Sequence, residues 1–136
     1  MKATVLALVI ICSTIAVADD KWKSAWSLSC AQIKLDGKNV SGRPFVIYRA
    51  TGPDEACCKE SQRVLQGKTR RFGYFQVRKK LDLGYYYAVF ESKTMKVVVP
   101  IELKNNYIAE DCSQPDTIIR ARSNGDAEID TIVTVD

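Results

Sequence analysis

Along this chain, apolar residues alternate with polar ones in short runs, and turn-forming residues interrupt the runs every several positions. In 25–35, Trp26, Leu28 and Cys30 share one parity, and Ile33 and Leu35 share the other. A single strand that keeps its apolar side inward would need a bulge near Ala31 and Gln32. Asp36, Gly37, Lys38 and Asn39 then form a tight turn in which glycine supplies positive φ. A second strand is predicted over 44–50, opened by Pro44, which suits a strand start or a sheet edge. The stretch 54–64 is short, polar and cysteine-bearing; a helix capped by Asp54 fits it, and an ordered loop fits nearly as well.

Residues 63–68 and 73–79 read as a strand pair around Thr69, Arg70, Arg71 and Phe72. Strands follow over 85–90, rich in tyrosine, and over 95–103, where Pro100 predicts an end, a bulge or an edge. Between 116–121 and 127–135, Asn124 and Gly125 form the strongest short hairpin signal in the chain. About eight short strands and at most one short helix predict an all-β fold, an antiparallel β-sandwich.

The chain has 136 residues, enough for one domain. Its start reads as a secretory leader: Lys2, an apolar run over 5–11, then Ala16, Val17 and Ala18 as a cleavage signal. The run is too short for a permanent membrane span. The expectation is a signal peptide over 1–18 and one secreted domain over 19–136, not membrane-spanning. Of five cysteines, Cys12 would leave with the leader. Cys30, Cys57, Cys58 and Cys112 would form two disulfides in an oxidising compartment. A bond between neighbours is strained, so Cys57 and Cys58 are each expected to take one of Cys30 and Cys112. Asn39, Val40 and Ser41 form a glycosylation sequon in a turn, which makes Asn39 a candidate glycan site.

Net charge is +4, and the chain contains no histidine. A Ser-His-Asp or Cys-His nucleophile is therefore excluded, and no carboxylate pair stands out by spacing. The chain is read as non-enzymatic, with no cofactor. Zinc is not expected without histidine or a C-x-x-C pair. Asp126, Glu128 and Asp130 would share one strand face, but alternation around Ile129 is the ordinary amphipathic pattern, so no metal site is assigned. The sharpest candidate is the basic pair of strands. Lys68, Arg70 and Arg71 stand at its turn and Arg78, Lys79 and Lys80 at its exit, with Phe72, Tyr74 and Phe75 between. Cations interleaved with aromatics suit anionic polymers or lipid headgroups. Secretion points to a glycosaminoglycan or an anionic membrane surface and away from nucleic acid. The weightier alternative is that these charges protect a strand edge from addition.

Three stretches together resemble the transthyretin-like family of secreted proteins known mainly from nematodes. Gly37 and Lys38 precede a Val-rich strand with Phe45, Val46, Ile47 and Tyr48; Gly67-Lys68-Thr69 and Gly73-Tyr74-Phe75 follow; Val99-Pro100-Ile101 and Tyr107-Ile108 close the series. The resemblance implies a seven- or eight-stranded transthyretin-type sandwich in the extracellular space. It also implies a binding role, toward a small hydrophobic or lipid ligand or a cell-surface partner.

Overall fold

The computed structural model describes residues 21–91, 96–110 and 112–131. The leader expected over 1–18, the turn at 92–94 and the end of the last expected strand, 132–135, lie outside the described residues.

Among the described residues ten strands are formed: β1 (Lys23–Ala25), β2 (Ala31–Leu35), β3 (Lys38–Asn39), β4 (Pro44–Ala50), β5 (Arg63–Lys68), β6 (Tyr74–Phe75), β7 (Gly84–Glu91), β8 (Lys96–Leu103), β9 (Thr117–Ala121) and β10 (Ala127–Thr131). The only helical turns among the described residues are the 3-10 turns Glu60–Gln62 and Arg71–Gly73. One sheet has the order β1-β8-β7-β4-β5 and the other β10-β9-β2-β3, with β6 also paired to β2. The two sheets face each other across one core, giving the all-β sandwich expected from the alternation. The sheets are not wholly antiparallel as expected but mixed, because short-range alternation does not specify strand direction: β1 runs parallel to β8, and β2 parallel to β9.

The parity change over 25–35 has a different cause from the one expected. β1 and β2 belong to different sheets, and 26–30 carry the chain between them. Leu28 and Cys30 are buried on this crossing, whereas Trp26 is exposed. A change of sheet reverses which parity faces the core, so no bulge is needed.

β4 occupies the predicted 44–50. Phe45 and Ile47 face inward, opposite Phe90 and Ala88 of β7. Phe45, Phe75 and Phe90 form an aromatic cluster at the centre, with ring centroids 5.0 to 6.0 Å apart. β6 thereby reaches the core from the second sheet while β4 and β7 reach it from the first. Tyr86 also faces inward and donates to the Asp82 carbonyl, while Arg49 Nη1 donates to the Tyr86 hydroxyl at 2.6 Å. Tyr85 and Tyr87 point outward and are packed by Trp22, whose ring lies 4.9 Å from each.

Pro100 lies inside β8 without ending it. β1 pairs only with Ile101 to Leu103, so at Pro100 the strand has β7 on one side and is an edge on the other. The Asn124-Gly125 hairpin pairs β9 with β10 as predicted, with Ala121 opposite Ala127.

Three further expectations are corrected. The stretch 54–64 is a loop ending in one 3-10 turn, and Asp54 caps no helix. It offers no apolar stripe for a helix to bury. Its Glu55 instead accepts from Thr51, and the Glu55 backbone carbonyl accepts from the Tyr87 hydroxyl. The disulfides join Cys30 to Cys112 and Cys57 to Cys58. The fold brings Cys30 and Cys112 to a Cα separation of 5.5 Å, which leaves the neighbouring pair to each other. Finally, β5 and β6 do not pair. β5 joins β4 in the first sheet and β6 joins β2 in the second, so the basic segment is a crossover between sheets and not a hairpin.

Candidate functional site

The crossover is fixed at both ends. At its start Thr69 is buried: its N–H donates to the Arg43 carbonyl at 2.9 Å, its hydroxyl accepts from the Arg43 N–H at 2.9 Å, and its carbonyl accepts from Gly42. At its end, Phe75 sits in the aromatic cluster. Between them the chain makes a tight turn in which Arg70 N–H donates to Tyr74 O at 2.6 Å and Gly73 N–H donates to Arg70 O at 3.0 Å. The turn emerges where two short strands meet on one edge of β2: β3 pairs with Lys34 and Leu35, and β6 with Ala31 and Gln32.

Two residues in the turn have positive φ. Gly73 has φ +81°, and a side chain there would strike the backbone of Ile33. Phe72 has φ 63° and ψ 16°, a left-handed conformation that is uncommon for an aromatic residue. The Gln32 side-chain amide holds it there, donating to the Phe72 carbonyl at 2.8 Å. Phe72 is 57% exposed, so the strain presents an apolar ring to solvent and does not bury it. Strain at an exposed aromatic is a feature that packing does not require.

Arg70 and Arg71 directly precede Phe72 and are exposed, and the Arg71 guanidinium lies 5.9 Å from the ring centre. Among the described residues, no carboxylate forms an ion pair with Lys68, Arg70 or Arg71. Beside the turn is a cleft of about 260 Å³, bordered by Arg70, Arg71, Phe72, Tyr74 and Gln76, with Phe75 and the Cys30–Cys112 disulfide at its base. An apolar floor under a cationic rim suits an amphipathic anion. The volume is below the usual range for whole drug-sized ligands, so it fits a headgroup and not a long chain.

The six cations expected to act together are divided. Lys68, Arg70 and Arg71 stand at the crossover. Arg78 donates from Nη1 to the Ala109 carbonyl at 2.7 Å and so ties two loops together. Lys79 and Lys80 are exposed on the loop beyond β6, and the extended run from Tyr74 to Val77 separates them from the arginines. Gln32, which holds the turn, was invisible to charge patterning because its role depends on being buried beneath Phe72. The left-handed Phe72 carried one sequence signal, its place directly before Gly73.

Asn39 is exposed at the end of β3. Its Oδ1 accepts from the Gln32 amide nitrogen at 3.3 Å, the same nitrogen that serves Phe72. Asp126, Glu128 and Asp130 lie exposed on or beside β10; Asp130 pairs with Arg120 at 3.1 Å, and no cluster able to hold a metal ion occurs among the described residues. A larger groove, about 780 Å³, runs beside β1 and β10. Its Lys21, Lys23, Arg120 and Arg122 share it with Asp126 and Glu128, so it offers no single sign of charge to a ligand. No described helix is long and apolar enough to cross a membrane.

Two carboxyls are perturbed away from this site. Burial pushes Asp116 above the usual aspartate range, and its Oδ1 is buried without a hydrogen-bond partner. Glu55 is held below its ordinary value, chiefly by the Thr51 backbone N–H.

No protein-family model matches this sequence, and no curated protein matches it.

Proposed function

We propose that this chain is a secreted, non-enzymatic binding protein of the transthyretin-like kind that engages anionic lipid headgroups through the Arg70-Arg71-Phe72 turn. The observation that carries the reading is the fixed, left-handed, exposed Phe72 directly after two exposed arginines that have no ion-pair partner among the described residues. Guanidinium groups are suited to phosphate and carboxylate, an exposed aromatic ring to the headgroup boundary, and the cleft behind them has room for one anionic head. The reading joins the two roles expected from the sequence, a lipid ligand and an anionic surface, at one place.

Cosedimentation of protein that carries no N-linked glycan with phosphatidylcholine vesicles, with and without phosphatidylserine, tests this. Each cation near an anionic surface is worth about 1 kcal/mol, so Arg70→Ala/Arg71→Ala should weaken binding roughly thirtyfold at low salt. Phe72→Asn, which tolerates the left-handed backbone, should weaken binding with no loss of melting temperature. Equal sedimentation of wild type and both variants sinks the reading. Retention on heparin that needs the arginines but ignores Phe72→Asn, together with no vesicle binding, would assign the turn to a sulfated polysaccharide instead.

A further inference from the structure

The glycosylation sequon and the lipid-binding turn are far apart in sequence, but the fold places them against one side chain. Gln32 is buried on β2, and its amide nitrogen donates both to Asn39 Oδ1 at 3.3 Å and to the Phe72 carbonyl at 2.8 Å. The two oxygens are therefore no further apart than those two bonds laid end to end. The backbone N–H of Val40, next in the sequon, lies within 3.3 Å of where a Gly73 side chain would begin. Asn39 thus roots at the flank of the turn that carries Arg70, Arg71 and Phe72.

The orientation of the Asn39 amide suits modification. Its oxygen faces inward to Gln32, and its Nδ2 makes no hydrogen bond among the described residues. Both Asn39 and Ser41 are exposed. Glycan attachment uses Nδ2 and leaves Oδ1 able to keep its bond from Gln32. The transfer forms a bond from Nδ2 to the anomeric carbon of an oligosaccharide carried on a polyprenyl diphosphate. It breaks the anomeric carbon–oxygen bond, releases the diphosphate and loses one amide proton.

We infer that an N-linked glycan on Asn39 gates the Arg70-Arg71-Phe72 turn, so that the glycosylated protein is held off anionic membranes and the unglycosylated or trimmed form docks. This rests on the lipid-headgroup reading of the turn. The physical basis is steric and hydration-based. Phe72 must come within contact of the headgroup layer, and the arginines act only within about a Debye length, roughly 8 Å at physiological salt. A hydrated oligosaccharide rooted beside the turn occupies that layer.

The test uses protein secreted from a glycosylating eukaryotic host as wild type, Ser41→Ala and Asn39→Gln, with phosphatidylserine-containing vesicles as the probe. Ser41→Ala removes the sequon but keeps Asn39 and its bond from Gln32, which separates loss of sugar from loss of the hydrogen bond. Intact mass should show an oligosaccharide on wild type alone. Ser41→Ala should sediment with vesicles at least tenfold better than wild type, and endoglycosidase trimming of wild type to one sugar should restore most of the difference. An unmodified wild-type mass overturns the inference. So does equal sedimentation of the glycosylated and Ser41→Ala forms when Arg70→Ala/Arg71→Ala, placed on Ser41→Ala, still abolishes sedimentation; that result leaves the lipid reading standing. If those arginine changes have no effect on Ser41→Ala, the lipid reading falls and the gate falls with it.

Discussion

Gly73 and Gly37 form a matched pair for testing what fixes the crossover. Both have φ +81°. Around Gly37 nothing lies within 4 Å of an added Cβ, whereas at Gly73 the Cβ would approach the Ile33 carbonyl oxygen closer than 3.0 Å and the Val40 nitrogen to 3.3 Å. Gly37→Ala therefore costs only the left-handed backbone, about 1–2 kcal/mol. Gly73→Ala costs the same plus a backbone-on-backbone overlap, which overpacking data place at about 1–3 kcal/mol more. Neither neighbour is a flexible side chain, so β2 or the end of β3 has to move. For a domain of this size each kcal/mol corresponds to roughly 3–5 °C in Tm. Gly37→Ala should melt roughly 3–10 °C below wild type, and Gly73→Ala at least several degrees below Gly37→Ala, by the scaling just given. Circular dichroism melts of the three proteins at one pH provide the comparison. Equal melting of the two variants would refute the claim that close backbone approach, and not conformation alone, demands glycine at Gly73.

The two disulfides should contribute very unequally. The Cys30–Cys112 bond spans 82 positions, and loop-closure entropy assigns it about 4–5 kcal/mol, so Cys30→Ala/Cys112→Ala should melt far lower. The Cys57–Cys58 bond closes no chain loop, so Cys57→Ser/Cys58→Ser should melt within a few degrees of wild type; a comparable drop in both would contradict the entropic account. Asp116 has a carboxyl raised by burial, so its stabilising contribution is fully present below the unfolded pKa near 3.8 and is lost as pH rises through the folded value. Asp116→Asn should accordingly raise Tm at pH 7, with the gain vanishing near pH 3, and an equal effect at both pH values would exclude titration as its cause. Burial raises the Tyr86 phenol, and the nearby Arg49 guanidinium opposes that rise. Arg49→Met should move the phenol higher still in an ultraviolet titration and destabilise the fold by about 2 kcal/mol, through lost charged hydrogen bonds to Tyr86, Asp82 and Leu83. A phenol that titrates lower in this variant would show that the guanidinium does not favour the ionised form. The Tyr86 contribution to stability is present below pH about 10 and is lost as pH rises through the folded value.

Alternation and turn chemistry are local, and they determined the local elements. β4 occupies the predicted stretch 44–50, β9 and β10 pair about Asn124-Gly125, and the β-sandwich class follows from the number of short alternating runs. Sheet membership is not local. The parity change after Trp26 is compatible with a bulge or with a change of sheet, and only the pairing of β1 with β8 and of β2 with β9 decides between them. Cysteine pairing depends likewise on which segments the two sheets bring together. The basic turn shows the same division at the candidate site. Its residue types, two arginines before a phenylalanine, stood in the sequence as a cationic, aromatic segment. The crossover between sheets, the buried Gln32 amide and the missing side chain of Gly73 decided that Phe72 is held left-handed and exposed, that Arg78 is spent on the Ala109 carbonyl, and that Asn39 stands beside the turn. These are contacts between residues distant in sequence, so no pattern along the chain could encode them by itself.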